Sequence, residues 1–175
     1  MNLSDPQRSV AAHAAAGLGL TFGALLLSAL WWPFETPSAT MDGRLHLLAL
    51  AVLAPAITVA FSIARLGNHR FHSPQDLDGS GLTQGTQRAK LLQSLLQNSL
   101  EQLVLALPAY LAWALLAPAR LVHLILVAAL LFVIGRVLFF HGYARGAPGR
   151  ALGFALTFYP SVVVLVGALI FAAIS

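Results

Sequence analysis

Followed for where apolar residues run on and where polar ones interrupt them, the chain divides into five long apolar stretches. They are residues 10–34, 45–64, 91–116, 121–144 and 151–174. Each has at least the ~20 residues a helix needs to cross the hydrocarbon core of a bilayer. The pattern therefore predicts an all-α integral membrane protein with five spans. The first stretch is far longer than the ~7–15-residue apolar run of a signal peptide and is expected to be a retained helix. Trp31, Trp32 and Phe34 at its end read as an interfacial aromatic belt. The one long polar interruption, "RLGNHRFHSPQDLDGSGLTQGTQRAK", is punctuated by Pro74, Gly79, Gly81 and Gly85 and is expected to be irregular and solvated.

Composition agrees with this division. Of the 175 residues, 58% are hydrophobic and only 9% charged, and the mean hydropathy is +0.80, whereas soluble domains carry roughly 25% charged residues. There is no cysteine, which excludes a disulfide framework and thiolate chemistry by the protein itself. A net charge of +4 raises the question of nucleic acid. The basic residues sit at the ends of apolar spans, however, where membrane orientation accounts for them. Arg8, Arg65, Arg70, Arg88, Lys90, Arg145 and Arg150 fall on one side and only Arg44 and Arg120 on the other. The N-terminus, the 65–90 loop and the 145–150 loop are thus expected in the cytoplasm, the bacterial inner membrane being the expected location, with the C-terminus on the far side.

Polar residues inside the spans are the candidates for chemistry. Ser94, Gln97, Asn98 and Glu101 recur at i, i+3, i+4 and i+7 and define one helical face. Arg136 and Tyr143 share a face of the fourth span, with Phe139 or Phe140 between them. A permanent cation in an apolar helix needs an acceptor. Glu101 is the only acidic residue within any of the five apolar stretches, so Glu101 and Arg136 are expected to pair across neighbouring helices or subunits. Such a pair serves equally as a register-fixing ion pair or as part of a polar pocket. With Asn98, Tyr143 and Arg150 near the same helix ends, that pocket would take an anionic or zwitterionic ligand.

Other features carry less. His69, His72, Asp76 and Asp78 fit no standard metal-ligand spacing. "DLDGSG" resembles the start of a calcium loop, but counting from Asp76 puts Gln87 where a bidentate Glu is required. His13, His46 and His123 lie near span ends, and His141 is expected to be a polar tip at the interface. Gly17, Gly19 and Gly23 suit close helix packing. No catalytic Ser/His/Asp arrangement, phosphate loop or dinucleotide fingerprint is present.

Two segments, "QNSLEQLVLALPAY" and "GRVLFFHGYARGAPGRALGF", resemble the MAPEG family, the membrane-associated proteins in eicosanoid and glutathione metabolism. The likeness covers residues 45 to 175. It rests on Asn98 with Glu101, Arg136 with Tyr143, and Pro148 with Arg150. Arg65 matches an arginine near the cytoplasmic end of the first family helix, and Asp76 an acidic loop position near the active site of some members. The resemblance implies a four-helix protomer over 41–175, a homotrimer, and glutathione held between subunits near the cytoplasmic side. Residues 1–40 would add an N-terminal transmembrane helix. It assigns Arg150 to stabilising the glutathione thiolate, and Arg65, Asp76, Asn98, Glu101, Arg136 and Tyr143 to holding the tripeptide. Two departures stand out. The turns before Asn98 carry Ser94 and Gln97 where catalytic members often have arginines. Ala151 and Phe154 follow Arg150 where an aromatic or hydroxyl group is common.

The expected function is glutathione-dependent transferase or peroxidase chemistry on lipophilic electrophiles arriving from the bilayer. The alternative is a non-catalytic lipid-binding or scaffold protein on the same fold, its first helix docking a membrane protein partner.

Overall fold

The computed structural model describes residues 3–32, 39–79 and 81–174. Its regular structure is helical throughout: α1 (Asp5–Trp31), α2 (Met41–Phe71), α3 (Gln87–Leu116), α4 (Leu124–Gly142) and α5 (Gly146–Ile174), with short 3-10 turns at Ala119–Leu121 and Tyr143–Arg145. Four helical stretches are long and apolar enough to cross a membrane, the last of which, Ala119–Ile174, folds back on itself as α4 and α5. Phe34 of the expected aromatic belt lies outside the described residues, whereas Trp32 stacks on His123 with ring centroids 4.6 Å apart.

The first three helices begin where the sequence offers a cap. At α1 the backbone N–H of Ser4 donates to Gln7 Oε1 at 2.8 Å. At α2 the Thr40 hydroxyl accepts from Gly43 N, and at α3 the Thr86 hydroxyl accepts from Ala89 N. The far end of α3 is closed from another helix. Arg44 Nη1 donates to the carbonyls of Ala114 and Ala117, each at 2.8 Å. A cation at a helix C-terminus meets both the free carbonyls and the negative end of the dipole.

The helices run up and down. α5 packs against α4, α1 and α3, while α2 packs against α3 and α4. The α4–α5 hairpin is the tightest contact. A Cβ on Gly153 would overlap the backbone of Phe139, and one on Gly135 would lie 2.8 Å from Gly153 O. The turn between them passes through Gly146 at φ +79°, a conformation that favours glycine. Of the three glycines in α1, Gly17 seats Ala155 of α5, whereas Gly19 and Gly23 face open space.

Two apolar clusters fill the interior. The larger includes Tyr110, Trp113, Ile125, Phe132 and Val164, and the smaller Leu66, Leu92, Leu95 and Phe139. The Arg136 side chain touches Phe132 of one and Phe139 of the other. The outer faces of α1 and α2 expose Phe22, Leu26, Leu30, Leu53, Ile57 and Phe61. Such faces suit hydrocarbon, where the helix satisfies its own backbone and apolar side chains meet the lipid.

Candidate functional site

The polar layer is built around Arg136, which has no exposed surface. Its Nε and Nη2 donate to Thr157 Oγ1 at 3.1 and 2.9 Å, and its Nη1 donates to Asn98 Oδ1 at 2.9 Å. Its guanidinium carbon lies 4.4 Å from the centre of the Phe139 ring. The close approach of Gly135 and Gly153 brings α4 near enough to α5 for Thr157 to reach it. The Thr157 hydroxyl in turn donates to Gly153 O at 2.8 Å.

The expected direct pair between Glu101 and Arg136 is not formed within the chain. Glu101 is exposed, and its carboxylate accepts from Gln97 Nε2 at 3.0 Å and from Asn98 Nδ2 at 3.5 Å. Asn98 thus stands between the two, accepting from Arg136 and donating to Glu101. The reason is geometric: Asn98 is at the inner margin of the polar face of α3, while Gln97 and Glu101 look outward. Neutral acceptors serve the buried cation, and the carboxylate stays on the outer surface.

Beside this layer lies a hollow of about 440 Å³ between α1, α3, α4 and α5. Asn98, Tyr143, Arg150 and Tyr159 supply its polar lining; Val10, Ala14, Phe154 and others supply an apolar wall. Its size falls in the ~300–1,000 Å³ range of small-molecule sites. Arg150 sits over the Tyr143 ring, 4.5 Å from its centre, and Tyr143 contacts Phe139 edge to face at 5.3 Å. Phe139, rather than Phe140, therefore bridges Arg136 and Tyr143. Among the described residues no carboxylate pairs with Arg150, since the one ion pair is His69 with Asp76.

Arg65 and Asp76 are placed elsewhere. Arg65 lies over Phe61 and lines a separate hollow with Asn68, His72 and Arg88. Asp76 is buried, which corrects the expectation of a solvated loop. It accepts from Thr86 N, Thr86 Oγ1 and Ser73 Oγ, each at 2.7 Å, and pairs with His69 Nε2 at 3.0 Å. The Thr86 amide first, helped by the two hydroxyls and His69, holds its carboxyl well below the usual carboxylate range against the opposing effect of burial. Asp76 therefore fastens the loop to the N-terminus of α3.

Thr157 was not apparent from the sequence. The available sign was its spacing, seven residues beyond Arg150 on the same face of α5. A hydroxyl in an apolar helix usually satisfies itself on a carbonyl one turn back, so the spacing alone does not single it out.

An all-helical membrane bundle with a saturated internal arginine and, among the described residues, an arginine without a carboxylate partner lining a largely apolar hollow defines an integral membrane protein with a polar site at one end. The MAPEG family matches residues 45–170, and the chain belongs to it. The matched segment carries Asn98, Glu101, Arg136, Tyr143 and Arg150; α1 precedes it. No curated protein and no solved structure matches the chain.

Proposed function

We propose that the protein is a glutathione-dependent membrane enzyme of the transferase or peroxidase type, acting on lipophilic electrophiles at the Arg150 hollow. The observation that carries this reading is Arg150 itself, a guanidinium that among the described residues has no carboxylate partner, stacked on Tyr143 and lining a largely apolar cavity.

The hollow fits the thiol end of glutathione better than its carboxylates. Arg150 and the first turn of α5 offer a cation and the positive end of a helix dipole to an anion. Tyr143 offers a hydroxyl and Asn98 an amide. Among the described residues no second guanidinium lines this hollow; Arg136 is saturated and acts through Asn98 and Thr157. A neighbouring copy in a homotrimer, with Glu101 and Arg65 at hand, would supply the remaining contacts. The tripeptide brings the sulfur that this cysteine-free chain lacks. Arg150 and the α5 dipole favour its deprotonated form, because a thiol of pKa ~8.5 is lowered by a nearby guanidinium. Phe154, Val10 and Ala14 exclude water and admit an apolar reactant.

A fall of two pKa units corresponds to ~2.7 kcal/mol of preference for the thiolate. Arg150→Ala is therefore expected to slow single-turnover conjugation of an aryl halide by roughly ten- to a hundredfold. It should also abolish most of the thiolate absorbance at neutral pH. Wild-type protein showing neither thiolate signal nor turnover with glutathione would overturn the enzyme and leave a lipid-binding or scaffold role.

A further inference from the structure

A second hollow, of about 350 Å³, lies between α1, α4 and α5 at the same end of the bundle. It shares no lining residue with the Arg150 hollow. We propose that it binds the headgroup of an anionic phospholipid, with the phosphate on Arg145 and His141 and the headgroup hydroxyls on His13.

Three observations carry this. The first is convergence. His13 comes from α1, His141 from the last turn of α4, and Arg145 from the turn that leads into α5. Arg145 is held in place, since its Cβ fills the space that a side chain on Gly149 would need, and Gly146 fixes the turn. The second is unused hydrogen-bonding capacity. His13 Nδ1 lies 2.7 Å from Ser9 O. A carbonyl only accepts, so Nδ1 carries the proton, and Nε2 is left as an acceptor for an O–H when the ring is neutral. Among the described residues neither Arg145 nor His141 has an acidic partner, and no carboxylate lines the hollow.

The third is depth. The polar groups lie where two apolar helices end, and Leu138 and Leu152 form the wall on the hydrocarbon side. A cationic rim over an apolar wall matches a molecule with an anion above acyl chains. Basic pockets between transmembrane helices are the usual setting for anionic headgroups. A free phosphate would use the rim alone.

The test is titration of detergent-solubilised full-length protein with short-chain phosphatidylglycerol, phosphatidylcholine or inorganic phosphate, read as a shift in thermal unfolding and by native mass spectrometry. Phosphatidylglycerol is expected to bind and stabilise, whereas the other two are not. Arg145→Gln combined with His141→Gln should weaken phosphatidylglycerol binding about tenfold or more, Arg145→Lys should retain most of it, and Arg150→Ala should leave it unchanged. If the double variant does not fold, Leu152→Trp, which fills the hollow from its apolar wall, should abolish binding instead. Equal binding of phosphatidylcholine would overturn the proposal. So would wild-type affinity in the double variant or in Leu152→Trp, loss of phosphatidylglycerol binding in Arg150→Ala, or inorganic phosphate matching the lipid.

Discussion

A guanidinium with no exposed surface must find its acceptors inside the protein, and Arg136 finds them in a side-chain amide and a hydroxyl rather than a carboxylate. Hydrogen bonds to a charged group contribute ~1.5–3 kcal/mol, so two neutral acceptors hold the cation without a second charge having to be desolvated. The need for an acceptor was legible from the sequence, but the acceptor expected was Glu101; Asn98 was legible only as a member of the polar face, and Thr157 not at all, because many residues on α5 satisfy the same periodicity. Asp76 shows the opposite limit. In a loop rich in glycine and polar residues nothing marks one aspartate as buried, since the four donors that fix it converge only after the loop closes. Its depressed carboxyl gives a pH prediction. The bound carboxylate stabilises the loop at any pH above the unfolded value of ~3.9, and that contribution is lost as pH falls from there towards the lower folded value. Hydrogen-exchange protection of the Thr86 amide, corrected for intrinsic rates, should therefore drop several-fold between about pH 5 and 3. In Asp76→Asn it should be low and flat across that range; wild-type protection in the variant would show that the clamp does not depend on the charge.

At the level of the helices, the apolar stretches gave the number and order of the elements. Four of the five begin several residues earlier than the apolar stretches, because capping residues such as Thr40 and Thr86 lie in polar sequence that hydropathy does not count, whereas α4 is shorter than its stretch at both ends. Glycine spacing was less informative. Three glycines in α1 suit close helix packing, yet only Gly17 is in contact. The closest approach is between α4 and α5, at Gly135, Gly142, Gly149 and Gly153, where the hairpin geometry rather than any motif decides which glycines meet. The two classes should respond oppositely to alanine. Gly153→Ala would drive a methyl into the backbone at Phe139 and is expected to lower stability by ~1–3 kcal/mol. Gly19→Ala meets open space and gains helix propensity, an improvement of up to ~1 kcal/mol. Thermal unfolding of both variants in one detergent measures the contrast. A Gly153→Ala protein as stable as wild type would mean that the hairpin is looser than described.

For the whole molecule, the distribution of cations around the bundle fixes the expected orientation in the membrane. The described helices are five, with successive members antiparallel, so the N- and C-termini lie at opposite ends. Arg8, Arg65, Arg70, Arg88, Lys90, Arg145 and Arg150 gather at the end that holds both hollows. The other end has Arg44 and Arg120, and Arg44 is engaged in closing α3. An excess of this size within ~15–20 residues of the spans predicts an orientation with the basic end inside. The Arg150 hollow would then open towards a cytoplasmic supply of thiol, and the Arg145 hollow towards the inner leaflet, where anionic headgroups give a surface potential near −30 mV. Helix α1, which precedes the family segment, is what puts the N-terminus at this end. The expected outcome follows for fusions made after residue 174: alkaline phosphatase should be active and green fluorescent protein dark. A fluorescent fusion at the C-terminus with an inactive phosphatase would place both hollows outside and remove the cytoplasmic thiol from the mechanism. A second fusion after residue 79, in the loop between α2 and α3, should give the reverse pattern. The same pattern at both positions would mean that the α3–α4–α5 segment crosses the bilayer an even number of times, contrary to the fold.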